Sequence, residues 1–412
     1  MVSWVFFAVS VIGAGFTLSA LARGRQLSYL VVPYFFASWL TGELALHHLA
    51  WQAVATLVFV SCGALHAWPG VVGLLVTFGS WAGLIKLQQI AADTGNACRA
   101  ALEEGLAPGF TSLVPAPIAT QLPTDVSYNR IVRPFKMRHP AVERIGDIAY
   151  GEAGDRNLLD VYRPTSHPQG CPTLLQIHGG GWMIGNKEQQ GLPLMNFLAA
   201  RGWVCVACNY RLSPKATFPD HLIDVKRALA WIRQHGAEYG ADPSFIAVTG
   251  GSAGGHLSAL TALTANDRAL QPGFEDADTS VSACVPFYGV YDFLDRYNLR
   301  GKQSMAPVLE KYVMKSSPES GREDWEKASP YSRVHADAPP FFVIHGTHDS
   351  LAFVEDAQHF VRALRAVSRN PVVYAELPGA QHAFEVFHSL RTEYVINAVA
   401  WFLEWVRARA AR

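Results

Sequence analysis

The first 90 residues of this 412-residue sequence contain almost no charged side chains. Histidines aside, there are four: Arg23, Arg25, Glu43 and Lys86. In the whole chain 17% of residues are charged, against roughly 25% in typical soluble proteins. So few charges cannot form the polar surface of a soluble helical domain, which favours a membrane region. From about residue 120 onward the composition is that of a globular domain with a sizeable core.

An excess of one charge is also missing, since 34 Lys and Arg balance 34 Asp and Glu. Without a basic surface there is no reason to expect a nucleic-acid partner. The six cysteines follow neither metal-binding nor disulfide spacing. Cys205 and Cys208 form a C-x-x-C, but the apolar run around them favours a buried strand over a redox motif. We therefore predict no metal and no cofactor.

Four apolar segments of near-spanning length lie in the N-terminal region, at residues 2–22, 27–46, 49–66 and 71–90. A helix needs about 20 such residues to cross a bilayer. The second and third segments are interrupted by helix-breaking or polar residues: Pro33, Gly42, Glu43, His47 and His48. Three spans are therefore the alternative to four. A cleaved signal peptide is disfavoured, because no basic region precedes the first segment and more apolar segments follow it.

The orientation of this region is open. Arg23 and Arg25 favour a cytoplasmic position for the loop after the first segment. With four spans the remainder of the chain would then lie outside the cytoplasm, and with three spans inside. Residues 1–90 are thus predicted to form a multi-pass transmembrane helical region of the cell membrane.

Residues 91–140 are predicted to be a connector and possible cap segment, and residues 141–412 a catalytic domain. Short apolar runs in the latter predict strands at 157–163, 173–177, 203–208, 245–249, 283–287, 341–344 and 372–377. Helical patterns lie at 219–235, 255–265, 353–366 and 394–408. Strands that alternate with helices predict an α/β fold with a mostly parallel sheet flanked by helices. The irregular residues 291–335 are predicted to be an insertion that contributes to a lid.

The clearest chemical motif is G-G-S-A-G at residues 250–254, directly between a predicted buried strand and a predicted helix. A sharp strand-to-helix turn of this kind exposes a nucleophilic serine, and its small neighbours avoid clashes. Ser252 is therefore the predicted nucleophile. A phosphate-binding glycine loop is the alternative, but the P-loop lysine and the full dinucleotide pattern are missing.

A second glycine-rich motif, H-G-G-G-W at residues 178–182, follows another predicted strand. Glycines let backbone N–H groups approach a ligand closely, as the oxyanion of an acyl-transfer intermediate requires. This motif precedes the serine motif in the order expected of such hydrolases. Trp182 is predicted to contact the substrate, and His178 to brace the glycine loop.

The serine needs a base and an orienting carboxylate, which in this arrangement follow it in the order acid, then histidine. Asp349 and His382 each follow a late predicted strand, at the edge of the sheet where sites of α/β proteins form. Asp292 and Asp356 are alternative acids. His345 and His348 are expected to be structural or to line the pocket.

Taken together, residues 143–405 resemble the hormone-sensitive-lipase-like esterases of the α/β-hydrolase superfamily, and the N-terminal region resembles membrane-associated esterases of actinobacteria. The resemblance rests on the two glycine motifs, N-Y-R-L-S-P at 209–214, Asp242-Pro243 and the loops of Asp349 and His382. It implies that Gly180, Gly181 and Ala253 supply the oxyanion-hole N–H groups. Two positions depart from the family pattern. Gly251 replaces the usual Asp before the nucleophile, and His348-Asp349-Ser350-Leu351 replaces the usual acid motif.

These observations predict a serine carboxylesterase or lipase that hydrolyses a small-molecule or lipid ester, and the apolar N-terminal region favours a lipophilic one. An acyltransferase or amidase with the same triad, or a non-catalytic ligand-binding relative, are the alternatives. The sequence leaves the oligomeric state open.

Overall fold

The structure is a computed structural model that describes residues 1–24, 31–122, 125–300 and 305–411. Its centre is an eight-stranded sheet in the order β1-β2-β4-β3-β5-β6-β7-β8. The strands are β1 (Val142–Ala149), β2 (Leu158–Pro164), β3 (Cys171–Ile177), β4 (Val204–Cys208), β5 (Ala241–Gly251), β6 (Ala283–Phe287), β7 (Phe341–Gly346) and β8 (Val372–Leu377). β2 pairs antiparallel with β1 and β4, and all other pairs are parallel.

Helices cover both faces of this sheet, as predicted. In chain order the helices are α1 (Val2–Leu21), α2 (Val31–Glu43), α3 (Ala45–Ser61), α4 (Trp68–Ala92), α5 (Thr94–Leu106), α6 (Ala116–Ala119), α7 (Tyr128–Val132), α8 (Leu192–Ala199), α9 (Asp220–His235), α10 (Ala253–Leu263), α11 (Ala306–Val308), α12 (Arg322–Lys327), α13 (Val354–Val367) and α14 (Leu390–Ala410). The apolar sides of α9, α10 and α13 pack on one face. Those of α5, α8 and α14 pack on the other.

The central strands are apolar on both sides because they lie between two helical layers. All seven residues of β3 and all five of β4 are buried, Cys205 and Cys208 included. Such strands appear in a sequence as continuous apolar runs. The predicted strands at 283–287 and 372–377 coincide with β6 and β8.

The N-terminal helices can be compared with the predicted four spans, or three as the alternative. α1 and the 39-residue helical unit Trp68–Leu106, which joins α4 and α5 through a turn at Asp93, are long and apolar enough to cross a membrane. The predicted spans 27–46 and 49–66 correspond to α2 and α3, which form one pair bent by 90°; residues 27–30 lie outside the described residues. The described part of the chain therefore offers two candidate spans, or three, the predicted alternative, if the bent pair counts as one. The bend follows Glu43, whose carboxylate forms an ion pair of 2.8 Å with Arg391 of α14.

The helices α1 and α4 pack through small and hydroxyl side chains. Thr17 Oγ1 lies 2.8 Å from Ser80 Oγ, and Thr77 Oγ1 donates to Ser10 Oγ at 2.9 Å. A Cβ on Gly73 would lie 3.1 Å from Phe7 Cα, so the two backbones approach closely. Small residues and interhelical hydrogen bonds are typical of helix contacts in membranes, where burial of apolar surface gives no driving force.

Two further segments differ from their predicted form. The predicted connector contains α5, a helix that packs against the sheet through Cys98, Ala101, Leu102 and Leu106. The predicted insertion at 291–335 contains α11, a π-helical turn (Leu309–Met314) and α12. Its Trp325 is fully buried in the core beside α10.

Candidate active site

Ser252 stands at a sharp turn between the end of β5 and the start of α10. Its φ of 59° and ψ of −121° are a costly conformation for a residue with a side chain. The turn is held by a hydrogen bond of 3.0 Å from Ser252 N to Phe287 O. A Cβ on Gly250 or Gly254 would collide with Ile177 O of β3, so these two positions require glycine. The serine itself is only partly buried, as an accessible nucleophile must be.

The glycine loop lies directly against this turn. A Cβ on Gly179 would come within 3.1 Å of Ser252 Cβ. Gly180 and Gly181 adopt φ values of 111° and 59°, which favour glycine. The N–H groups of Gly180, Gly181 and Ala253 have no acceptor in the part of the chain that the structure describes. Three free donors beside a serine hydroxyl form a site suited to an oxyanion.

His178 braces this loop, in line with the prediction. Its Nδ1–H donates to Gly179 O at 2.7 Å, and its ring stacks on Tyr210 at 4.3 Å. Burial lowers the pKa of His178 to about 4, so the imidazole is neutral near pH 7. Gln190 Oε1 holds the loop from the other side by accepting from Gly179 N at 2.6 Å.

His382 and Asp349 meet at the carboxyl edge of the sheet, after β8 and β7. His382 Nδ1–H donates to Asp349 Oδ2 at 2.7 Å. The other carboxylate oxygen accepts 2.8 Å hydrogen bonds from Leu351 N and Ala352 N. Burial disfavours the charge on Asp349, but His382 and His345 outweigh it and lower the pKa of this carboxyl below its usual value. An ionised Asp349 thus fixes the tautomer of His382, which leaves Nε2 as the proton acceptor.

Tyr288 contacts both the serine turn and the histidine. A Cβ on Gly251 would collide with the Tyr288 hydroxyl, and the Tyr288 ring lies 4.4 Å from that of His382. Among the described residues the Ser252 hydroxyl makes no hydrogen bond. Catalytic hydrogen bonds commonly tighten only when substrate is bound.

The alternative acids are engaged elsewhere. Asp356 lies on α13 and pairs with Arg300 at 3.0 Å, while Asp292 pairs with Arg296 at 2.6 Å. His345 is buried, and its Nε2–H donates to Ala352 O at 2.7 Å, which supports the turn that carries Asp349. These contacts leave Asp349 as the carboxylate that reaches His382.

Trp182, predicted to contact the substrate, is placed within the core by the structure. Its side chain is 2% exposed. The indole N–H donates to His256 Nδ1 at 3.2 Å, and the ring packs edge-on against Phe293 at 5.1 Å. The residue supports the glycine loop from within the core, because a large aromatic side chain gains most from burial.

Three residues of the site were not anticipated from the sequence. Gln381 Oε1 accepts from Ser350 N at 2.7 Å and from His382 N at 2.9 Å. Tyr288 packs on His382 and donates a hydrogen bond to Glu385. Burial raises the pKa of Glu385 to about 7. No local pattern singles out a glutamine, a tyrosine or a glutamate at these positions. The described residues contain no cluster of three His, Cys, Asp or Glu side chains that could hold a metal ion.

A mostly parallel sheet with a serine turn after β5, and an acid and a histidine after the last two strands, defines an α/β hydrolase. The BD-FAE family model matches residues 159–364. The "Probable carboxylic ester hydrolase LipM" of Mycobacterium tuberculosis is 47% identical over 82% of this chain and 78% of its own length. "Esterase LipQ" of the same organism is 48% identical over 64% of this chain and 62% of its own length.

Among solved structures, a thermophilic esterase from Thermogutta terrifontis, Est2, superposes with a TM-score of 0.50 at 29% identity, covering 62% of this chain and 88% of that one. The chain belongs to the hormone-sensitive-lipase-like esterases of the α/β-hydrolase superfamily. It is a carboxylic ester hydrolase, as predicted from its sequence.

Proposed function

We propose that the enzyme works through an acyl-enzyme intermediate with Ser252 as nucleophile, His382 as general base and Asp349 as orienting carboxylate. The observation that carries this proposal is the buried 2.7 Å hydrogen bond from His382 Nδ1 to Asp349 Oδ2, at the sheet edge that also carries the Ser252 turn. Within this arrangement, His382 Nε2 takes the serine proton while Oγ attacks the ester carbonyl.

The tetrahedral intermediate carries a negative oxygen. The N–H groups of Gly180, Gly181 and Ala253 stabilise it, and each such donor contributes roughly 3 kcal/mol in comparable enzymes. The intermediate collapses when protonated His382 returns its proton to the leaving alcohol oxygen. A water molecule, deprotonated by the same histidine, then attacks the acyl carbon. The bond to Ser252 Oγ breaks, His382 returns the proton to Oγ, and the acid is released.

Labelling with a fluorophosphonate, which reacts with activated serines, tests this assignment. The full-length enzyme should be labelled and Ser252→Ala should not. Ser258→Ala is a matched control, because this buried serine lies further along α10 and only donates to Gly254 O at 2.7 Å. Equal labelling of the wild type and Ser252→Ala would contradict the assignment, as would loss of labelling in Ser258→Ala alone.

The second part of the proposal concerns location and substrate: the enzyme resides in the cell membrane and hydrolyses lipophilic esters. Many large apolar side chains of α1, α3 and α4 are exposed, among them Leu18, Val54, Leu57, Leu75 and Phe78, at 50–71%. An exposed apolar surface of this extent is typical of contact with lipid.

A second feature supports contact with a membrane surface. The segment 128–138 exposes Tyr128, Val132 and Phe135 at 67–71%, beside the exposed cations Arg133, Lys136 and Arg138. It packs next to the bent helix pair, since His47 Nε2 donates to Val132 O at 3.4 Å. Interleaved aromatic and basic side chains suit the interface between apolar chains and anionic headgroups.

Fractionation and a substrate series test this part. The enzyme should remain in the membrane pellet after an alkaline carbonate wash and dissolve only in detergent. With p-nitrophenyl esters, kcat/KM should be higher for octanoate than for acetate. Release by the wash would contradict the membrane assignment, and a preference for acetate would contradict the lipophilic substrate.

A further inference from the structure

The helix α2 lies against the loops that carry the acid and the histidine, although it belongs to the apolar N-terminal region. Trp39 Nε1 donates to Ala383 O at 2.9 Å, next to His382. The Phe35 ring meets the His382 ring edge-on at 6.2 Å. Ser38 Oγ accepts a hydrogen bond of 2.9 Å from Gln381 Nε2. Three residues on one side of α2 thus contact three consecutive residues of the histidine loop.

Gln381 extends this contact to the acid loop. Its amide oxygen accepts from Ser350 N at 2.7 Å and from His382 N at 2.9 Å. Ser350 directly follows Asp349 in the chain, and the second donor is the backbone N–H of His382 itself. One buried side chain, 4% exposed, therefore joins both loops, and its amide nitrogen is held by Ser38. A buried amide that is hydrogen-bonded through both its oxygen and its nitrogen has little freedom to move.

The end of α2 is fixed independently. Glu43 pairs with Arg391 at 2.8 Å and accepts from Ser389 Oγ at 2.7 Å. Arg391 Nη2 also donates to Pro378 O at 3.1 Å, where the histidine loop begins. Both charged side chains are at most 1% exposed, so the pair holds the helix against α14 without competition from water. Hence α2 cannot shift along the histidine loop without breaking a buried ion pair.

We infer that α2 is part of the active site, and that Ser38 and Gln381 act as a positioning pair that sets how Asp349 and His382 face each other. This inference rests on the proposed triad and adds a function to the apolar region besides attachment. Ser38 and Gln381 do not touch the substrate. They act by keeping His382 aligned for proton transfer, a step that is sensitive to displacements of less than an ångström. The result is an esterase whose chemical step depends on the placement of an apolar N-terminal helix.

The test uses the full-length enzyme in detergent micelles, with p-nitrophenyl butyrate as substrate. Ser38→Ala removes the acceptor for Gln381, and we expect kcat and the rate of fluorophosphonate labelling to fall about three- to tenfold, with KM nearly unchanged. Gln381→Met removes both loop contacts and should lower kcat further. A fall in kcat without a change in KM marks misalignment of the catalytic groups rather than loss of a binding surface.

Ser10→Ala is the matched control. Ser10 is 5% exposed, against 4% for Ser38, and it also accepts one hydrogen bond from another element, that of Thr77 in α4. It lies far from the triad in the α1–α4 interface. We expect kcat of this variant to stay near the wild-type value, with thermal stability similar to that of Ser38→Ala.

Two results would overturn the inference: an unchanged kcat in both Ser38→Ala and Gln381→Met, or an equal fall of kcat in Ser38→Ala and Ser10→Ala. An error in the proposed triad would give a different result from an error in this inference, because Ser252→Ala would then retain esterase activity.

Discussion

The hydroxyl group of Tyr288 occupies the space that a Cβ on Gly251 would need. Tyr288 is fully buried and packs on the ring of His382. This relationship accounts for the glycine that precedes the nucleophile where related esterases usually carry an aspartate. In this enzyme a tyrosine directly after β6 fills the position, and the residue before Ser252 has no room for a side chain.

The first prediction restores the usual residue. Gly251→Asp should destabilise the folded protein by about 2 kcal/mol or more, because the new side chain overpacks the site. It should also lower kcat by displacing Tyr288 from His382. The double variant Gly251→Asp/Tyr288→Ala should recover part of the stability. Thermal unfolding and esterase assays check this, and a single variant as stable and active as the wild type would contradict it.

The second prediction concerns the acid. Asp349→Asn should lower kcat by about 10³- to 10⁴-fold, since an amide no longer holds His382 in the tautomer that accepts the serine proton. KM should change little. Asp292→Asn is the control, because this carboxylate pairs with Arg296 and should keep kcat within about threefold of wild type. Steady-state kinetics of both variants decide the matter; a larger loss in Asp292→Asn would assign the role to that residue.

The third prediction is a pH dependence of stability that originates in Glu385. Burial raises the pKa of this carboxyl from 4.5 to about 7. Between these values the folded protein retains a proton that the unfolded chain releases. The free energy of unfolding should therefore fall as pH rises through this window, by roughly 3 kcal/mol for a shift of this size.

Glu385→Gln removes the titrating group and keeps an acceptor for Tyr288. The stability of the wild type relative to this variant should decline from pH 4.5 to pH 8. Thermal melts of both proteins across this range measure the difference. Parallel stability curves would show that the pKa of Glu385 is not raised.

The fourth prediction addresses the buried ion pair between the N-terminal region and α14. Glu43→Gln leaves the charge of Arg391 buried without its partner, at a cost of about 3–5 kcal/mol. The double variant Glu43→Gln/Arg391→Met should be more stable than the single variant, since it buries no lone charge. Melting temperatures in detergent provide the comparison. Additive losses in the double variant would mean that the two residues do not depend on each other.

Most of the sheet could be predicted from the sequence, and the candidate triad could be proposed from it, because the signals of both are local. Strands buried on both faces leave continuous apolar runs, and the serine turn needs small residues at fixed positions, as 250–254 shows. These features are local. The spacing of Cys98, Ala101, Leu102 and Leu106 also carried a helical signal for α5, which the nearby prolines obscured.

The remaining features depend on contacts between distant parts of the chain. The hydrogen bond between Ser38 and Gln381 joins residues 343 positions apart. Next to the bend after α2, Glu43 pairs with the distant Arg391, a contact that no hydropathy pattern reveals. The burial of Trp182 follows from His256 and Phe293, which lie far along the chain. The composition of the N-terminal segments shows how apolar they are. It does not show which of them pack against the hydrolase domain.

The helical unit Trp68–Leu106, made of α4 and α5 with a turn at Asp93, determines how the catalytic domain is mounted. Its 39 residues extend about 58 Å at 1.5 Å per residue, nearly twice the ~30 Å of a bilayer core. The last part of this unit, α5, packs against the sheet and against α14. A hydrolase domain packed directly on a long helical unit is less free to turn than one on a flexible tether. With the membrane attachment proposed above, the entrance to its site would stay at a nearly constant height above the lipid, and the depth at which an ester bond lies would become a criterion for cleavage.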